Sequence, residues 1–174
     1  MTMTTIPETS TTLAYDYNIR GWMTSLNKGY FTGTTPDRYF GMELAYDKLT
    51  AAASGTTYAT AQYNGNIAST LWRSKGDGVN RQYDFAYDNV NRLMKADFKQ
   101  KNDDNSWNNS IVNYNMMMGN GTDVASAYDA NGNILQMQQW GLLLTTSGQI
   151  DNLKYTYITN TNKLKSVTDF NNSP

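Results

Sequence analysis

The side chains in this chain that could do chemistry are few in kind. There are thirteen aspartates, two glutamates (Glu8 and Glu43), thirteen tyrosines and four tryptophans, with no cysteine and no histidine. Thiolate nucleophiles, Cys/His zinc sites and histidine-based triads therefore have no parts here. Asp129, Asn131 and Asn133 have the spacing of the oxygen ligands that open a calcium loop. The twelfth position from Asp129 is Trp140, where an EF-hand needs a bidentate glutamate. A hairpin turn accounts for the same residues and is the reading we adopt. Paired carboxylates would suit a glycosidase. Most aspartates, however, directly follow a tyrosine or sit in loop-like sequence, where a turn role explains them. No catalytic residue, cofactor site or metal site is assigned.

Trp22, Trp72, Trp107 and Trp140, set among many Tyr and Asn, could stack on a sugar. Aromatic residues on a sheet more often pack between strands. Trp72 and Trp140 follow an Asn-Ile turn at similar offset, which marks a repeated structural position. Trp107, in an Asn-rich stretch, is expected to be the most exposed of the four. Met116-Met117-Met118 reads as a strand end packing on its neighbours.

The elements that hold these residues come from a tyrosine-centred repeat. Tyr87-Asp88-Asn89-Val90-Asn91-Arg92-Leu93 returns as Tyr128-Asp129-Ala130-Asn131-Gly132-Asn133-Ile134. Weaker copies run from Tyr17 to Met23, Tyr63 to Ile67 and Tyr157 to Leu164. Each copy is an aromatic, a polar turn rich in Asn and Gly, then an aliphatic residue. Such a period fixes architecture before any other signal, and repeated units usually build scaffolds. The motif positions are structural: Tyr17, Tyr63, Tyr87, Asp88, Arg92, Leu93, Tyr128, Asp129, Gly132, Ile134, Tyr157 and Leu164. Tyr supplies a large ring with a polar tip, Asp or Asn bonds the turn amides, and the aliphatic residue returns to the apolar face. Asn131-Gly132 predicts a type I′ turn.

Alternation of apolar and polar residues predicts strands. Tyr83, Phe85 and Tyr87 oppose Gln82, Asp84 and Asp88, and Phe40, Met42, Leu44 and Tyr46 oppose Gly41, Glu43, Ala45 and Asp47. Hairpins are expected near 12–27, 58–73, 82–99, 122–140 and 153–169, with single strands near 38–47 and 110–118. Loops are expected at 28–36, 49–57, 75–80, 101–106 and 142–149. The fold class is all-β, made of antiparallel hairpin repeats in a curved or spiral sheet. A flexible arm covers 1–12, the repeat segment 13–170 and a tail 171–174.

The net charge of −1 and pI near 5.3 argue against a nucleic-acid partner, which needs a concentrated basic face. No apolar run approaches the roughly 18 residues of a membrane helix. The polar start, Met1 to Glu8, lacks the basic and apolar regions of a signal peptide. Both ends read as cut, so a fragment of a longer protein is expected.

The repeat resembles the YD repeats of the RHS family, whose signature is Tyr-Asp, two variable residues, then Gly-Arg-Leu. Residues 87–93 match with Asn for Gly, and 128–134 match with Asn-Ile for Arg-Leu. Segments 15–26, 40–47, 63–67 and 151–169 are similar to the Bacteroidetes variant, so the likeness spans about 13–170. The resemblance implies a sheet strip spiralling into a hollow shell of a secreted or surface protein, which encloses a C-terminal payload such as a toxin. The family's core segment with its Asp-Pro cleavage motif has no counterpart, since Pro occurs only at 7, 36 and 174. The implied role is structural and non-catalytic, and the implied partners are further repeats and a payload of a parent protein. The alternative is a carbohydrate- or protein-binding β-module using the aromatic residues of the sheet. Open strand edges also predict self-association.

Overall fold

The computed structural model describes residues 12–35 and 38–171. The expected arm, apart from Thr12, and the tail beyond Asn171 lie outside the described residues. The chain is all-β, a single antiparallel sheet that is not closed into a barrel, as a curved sheet of hairpin repeats requires. Its strands are β1 (Tyr15–Tyr17), β2 (Met23–Leu26), β3 (Phe40–Ala45), β4 (Ser69–Ser74), β5 (Asn80–Tyr87) and β6 (Leu93–Lys101). They continue as β7 (Trp107–Asn108), β8 (Met116–Met118), β9 (Gln136–Leu143), β10 (Thr146–Tyr157) and β11 (Leu164–Asp169). The spatial order is β1-β2-β3-β4-β5-β6-β8-β9-β10-β11, and β7 pairs the far end of β6.

The alternating pattern decides which side chains each face buries. In β5 and β6, Tyr83 lies opposite Phe98 and Phe85 opposite Ala96, so the apolar members share one face. Trp72 stacks on Tyr83 at 5.5 Å, Tyr83 lies 5.9 Å from Phe85, and Tyr114 meets Phe98 edge-on at 5.3 Å. Tyr83, Phe85 and Tyr87 are half-buried, while Met94, Ala96 and Phe98 are buried. On the opposite face Glu43, Leu71 and Gln82 line up across β3, β4 and β5.

That second face is covered by the long connection between β3 and β4. Its Ala53 and Tyr58 pack with Phe31, Ala45 and Leu71 into one core, and Ala51, Ala52 and Trp107 close its margin. Trp107 is therefore half-buried against this core rather than exposed, and its indole N–H reaches the Ser54 carbonyl at 3.4 Å. A second core joins Met94, Met118, Ala127 and Tyr128, with Met116, Ile134 and Met137 packed against it.

Several boundaries differ from the sequence reading for identifiable reasons. No hairpin occupies 58–73: only β4 forms there, and it pairs β3 and β5. Of 110–118, only Met116–Met118 is strand, pairing β6 and β9; before it the Asn113 amide bonds Ser147 Oγ at 2.8 Å and the Asn115 side chain accepts from the Phe98 amide at 2.7 Å. The first arm of the expected 122–140 hairpin is a short helix, α2 (Val124–Ala127), capped by Asp123 accepting from the Ala125 amide at 3.0 Å. A helix, α1 (Lys28–Thr32), lies inside the expected 28–36 loop and carries Tyr30 and Phe31 into the core. The expected 142–149 loop is instead a continuation of β9 and β10, with Leu143 opposite Thr146, Leu142 opposite Ser147 and Gly141 opposite Gly148.

The turn at Asn131-Gly132 is not type I′, because only Gly132 has positive φ, at 85°. The Gly132 amide bonds the Asp129 carbonyl at 3.0 Å, and the Asp129 amide bonds the Asn133 carbonyl at 3.0 Å. This is a three-residue hairpin loop ending in one left-handed residue. Asn91 holds the equivalent place at φ 67°. A Cβ on Gly132 would meet only Arg92 Nη1 at 3.8 Å, so a substitution there is opposed by conformation, not by space. Gly132→Val is expected to cost about 1–2 kcal/mol, the left-handed penalty for a branched residue. Urea denaturation checks this, and wild-type stability would contradict the assigned turn.

Candidate functional site: the turn ladder

The motif residues converge on one edge of the sheet, where five turns follow one another. Within a turn the Asp or Asn after the tyrosine ties down the backbone. Asn18 Oδ1 accepts from the Arg20 and Trp22 amides, each at 3.0 Å. Asp88 Oδ1 accepts from Val90 at 2.9 Å and Arg92 at 2.8 Å, and Asp129 Oδ1 from Asn131 and Asn133, each at 2.9 Å. The second carboxylate oxygen takes a side chain: Arg92 Nε donates to Asp88 at 2.7 Å and Asn133 Nδ2 to Asp129 at 2.8 Å.

Desolvation pulls the Asp88 pKa upward, but the backbone and guanidinium bonds from Arg92 outweigh it and hold the carboxyl below its ordinary value. At Asp129 the Asn133 side-chain bond leads in the same direction. A carboxyl with a lowered folded pKa stabilises the fold above its unfolded pKa, about 4, and loses that contribution as pH falls below it. The urea midpoint is therefore expected to drop as pH is lowered through this range. The drop should be smaller in an Asp88→Asn, Asp129→Asn variant. A midpoint unchanged between about pH 5 and pH 3 would contradict these assignments.

Between turns, tyrosine hydroxyls form a ladder. Tyr46 Oη donates to the Met23 carbonyl at 3.2 Å, Tyr87 Oη to Ile67 at 2.9 Å, Tyr128 Oη to Leu93 at 2.6 Å and Tyr157 Oη to Ile134 at 2.8 Å. Each tyrosine thus grips the aliphatic residue that ends the preceding turn. Desolvation raises the pKa of all four hydroxyls, so they remain protonated donors.

The strand register repeats with the ladder. Ser25, Ser69 and Gln136, each two residues past the aliphatic position, lie opposite Glu43, Asp84 and Lys154, each three residues before the next tyrosine. Asparagines add a second set of links. Asn64 and Asn66 donate to Asn91 Oδ1 at 2.5 and 3.1 Å, and Asn131 and Asn133 donate to Asn162 Oδ1 at 3.1 and 3.0 Å. Between these two pairs of turns the link is Arg92, whose guanidinium lies 4.4 Å from the centre of the Tyr128 ring.

Tyr63 does not belong to this series. It is 74% exposed, and Tyr46 provides the hydroxyl that its turn needs. The Gln62 amide bonds the Tyr46 carbonyl at 2.6 Å, which closes the base of an insertion over residues 47–62. The second motif is thus Tyr46 with Asn64 to Ile67, split by that insertion. The remaining sequence-derived positions lie along the ladder: Tyr17 opens it and Leu164 ends it.

A polar network missed by sequence reasoning lies beneath the insertion. Glu43 is 1% exposed and accepts from Lys48 Nζ, Tyr58 Oη and the Ala52 amide. Buried Asp84 accepts from Ser69 Oγ at 2.5 Å and Gln82 Nε2 at 2.9 Å, and pairs with Lys99 at 3.1 Å. Desolvation, followed by the bond to Glu43, pushes the Tyr58 hydroxyl far above its ordinary pKa. Both carboxylates are engaged by donors and covered, which is the arrangement of a structural network. The signal in the sequence was Glu43 itself, a rare glutamate amid a strand otherwise able to pack.

At the Asp129 turn, both carboxylate oxygens are committed to the turn's own amides and to Asn133. Among the described residues no group of three or more carboxylates is placed to hold a metal ion, and no helix is long and apolar enough to cross a membrane. Trp22 packs on Tyr46 at 5.2 Å beneath Arg20. Comparison with protein-family models, with curated proteins and with solved structures finds no match to this chain.

Proposed function

We propose that this chain is a non-catalytic structural segment of a secreted or surface protein of the RHS type. Its hairpins form part of a spiralling sheet that walls a shell around a payload. The observation that carries this reading is the hydroxyl ladder: four tyrosine-to-carbonyl links of one kind, three of them with the same strand register, a device that extends by repetition. The neighbouring repeats of a parent protein are its partners, together with whatever that protein encloses. Electron microscopy of the chain expressed with the coding sequence that flanks it in its genome tests the reading. A hollow β-walled particle supports it; a solid, separately folded domain with no continuing sheet overturns it.

A second reading, a carbohydrate-binding sheet, takes support from the stacked, half-buried rings of Trp72, Tyr83 and Phe85. Titration of tryptophan fluorescence with soluble oligosaccharides tests it. A saturable change that disappears in Trp72→Ala would favour it over the shell.

A further inference from the structure

Among the described residues the ladder has an unused donor at one end and an unused acceptor at the other. Tyr17 holds the place of Tyr46, Tyr87, Tyr128 and Tyr157, yet its hydroxyl has no partner among the described residues, and the side chain is 61% exposed. Leu164 holds the place of Met23, Ile67, Leu93 and Ile134. No hydroxyl among the described residues donates to its carbonyl, and it is 52% exposed, whereas its four equivalents are half-buried. The two ends are thus complementary halves of the link made four times inside the chain.

Strand direction and backbone polarity agree with this match. The main path has ten strands, every neighbour antiparallel, so β1 and β11 run in opposite directions. A second copy whose β1 lay beside β11 would be antiparallel to it, with its turns on the same edge. The backbone of Ala14 bonds inward to Asn27 through both its amide and its carbonyl, so the groups of Leu13 and Tyr15 face outward. Phe170 bonds inward to Asn152, so the amide of Val167, three residues earlier on the alternating strand, faces outward.

We infer that copies of this chain by itself, with no flanking repeat on either edge, join head to tail, β11 of one pairing with β1 of the next in the register of three internal joints. That register sets Ser166 opposite the second copy's Ala14 and Val167 opposite its Leu13. Tyr17 of the second copy then donates to the Leu164 carbonyl. In the internal joints Phe85 and Tyr155, each two residues before a ladder tyrosine, donate to Ala68 and Leu135, each one past an aliphatic position. By the same rule the second copy's Tyr15 amide donates to the Lys165 carbonyl. Val167 and Leu13, both exposed in the single chain, cover each other in the joint. Because the joining surfaces differ, the assembly does not close at a dimer but runs on, as an open series or as a ring where the rotation per copy closes.

This joint rests on the repeat-scaffold reading but can fail alone, since a monomer with an intact internal ladder would leave the scaffold standing. The test is sedimentation velocity on the full chain and on Tyr15→Pro, Val167→Pro and Tyr17→Phe, with circular dichroism matching the wild type required of each. Proline is tolerated on an edge strand where its missing N–H would face solvent, so each proline variant blocks one edge and leaves the inner pairing alone. The wild type is expected to grow past a dimer with rising concentration, and each proline variant to stay at 19.6 kDa. An equimolar mixture of the two proline variants should stop at twice that mass, one contributing a free β11 and the other a free β1. Tyr17→Phe, which retains every backbone group, should weaken association about five-fold, the effect of one hydrogen bond. A wild type that stays monomeric, a proline variant that dimerises alone, or a mixture that stays monomeric would each overturn the inference.

Discussion

Replacing Glu43 with alanine is expected to lower the unfolding free energy by about 3 kcal/mol, toward the cost of breaking a buried ion pair. The carboxylate serves three donors from the β3–β4 connection: the Lys48 ammonium, the Tyr58 hydroxyl and the Ala52 amide. Removing it strands Tyr58, which is itself buried in the core beside Leu71 and Phe31. Lys48 keeps some contact with water, which lowers the cost relative to a fully enclosed pair. Tyr58→Phe should cost less, about 1 kcal/mol, because Glu43 keeps its other two donors. Urea unfolding of both variants checks the order. A Glu43→Ala loss below about 1 kcal/mol would mean that water reaches the cluster, as at an exposed pair.

The importance of Glu43 also shows where the sequence could and could not be read. Alternation located β3, β5 and β6 well, because apolar and polar side chains take opposite faces there, whereas β11 followed from the hairpin motif and is exposed along its whole length. The turn chemistry of Asp88 and Asp129 was legible for a local reason: an Asx-turn depends only on residues two and four positions on. What failed was non-local. Tyr63 fits the motif as well as any weak copy, and nothing local says that Tyr46 holds its place across a 47–62 insertion. Glu43 and Gln82 were set on the face opposite the aromatic residues, and they lie there together, but that face also carries core residues Leu71 and Ala45 and is covered by the insertion, not by water. At 142–149 the Thr-Thr-Ser-Gly run suggested a loop. Strand pairing of Gly141 with Gly148 overrode it, since the side chains of Ile150 and Leu143 occupy the space where Cβ atoms would stand.

The ladder makes a sharp contrast between two tyrosines that the sequence treats alike. Tyr128→Ala is expected to cost about 3–4 kcal/mol, in the range for removing a large buried side chain. Its ring is 9% exposed and packs with Met94, Met118 and Ala127, its hydroxyl reaches the Leu93 carbonyl, and the Arg92 guanidinium covers its face. Tyr128→Phe keeps the packing and loses only the hydroxyl, so it should cost about 1 kcal/mol. Tyr63→Ala should change stability by no more than about 0.5 kcal/mol, as for other exposed substitutions. Arg20 Nη1 donates to its backbone carbonyl at 3.3 Å, a bond that survives truncation. Chemical denaturation of the three variants separates the roles. If Tyr63→Ala proved as costly as Tyr128→Ala, Tyr63 and not Tyr46 would be the second rung. Equal stability of Tyr128→Phe and wild type would instead assign the interaction to the ring alone, leaving the hydroxyl to fix register without adding stability.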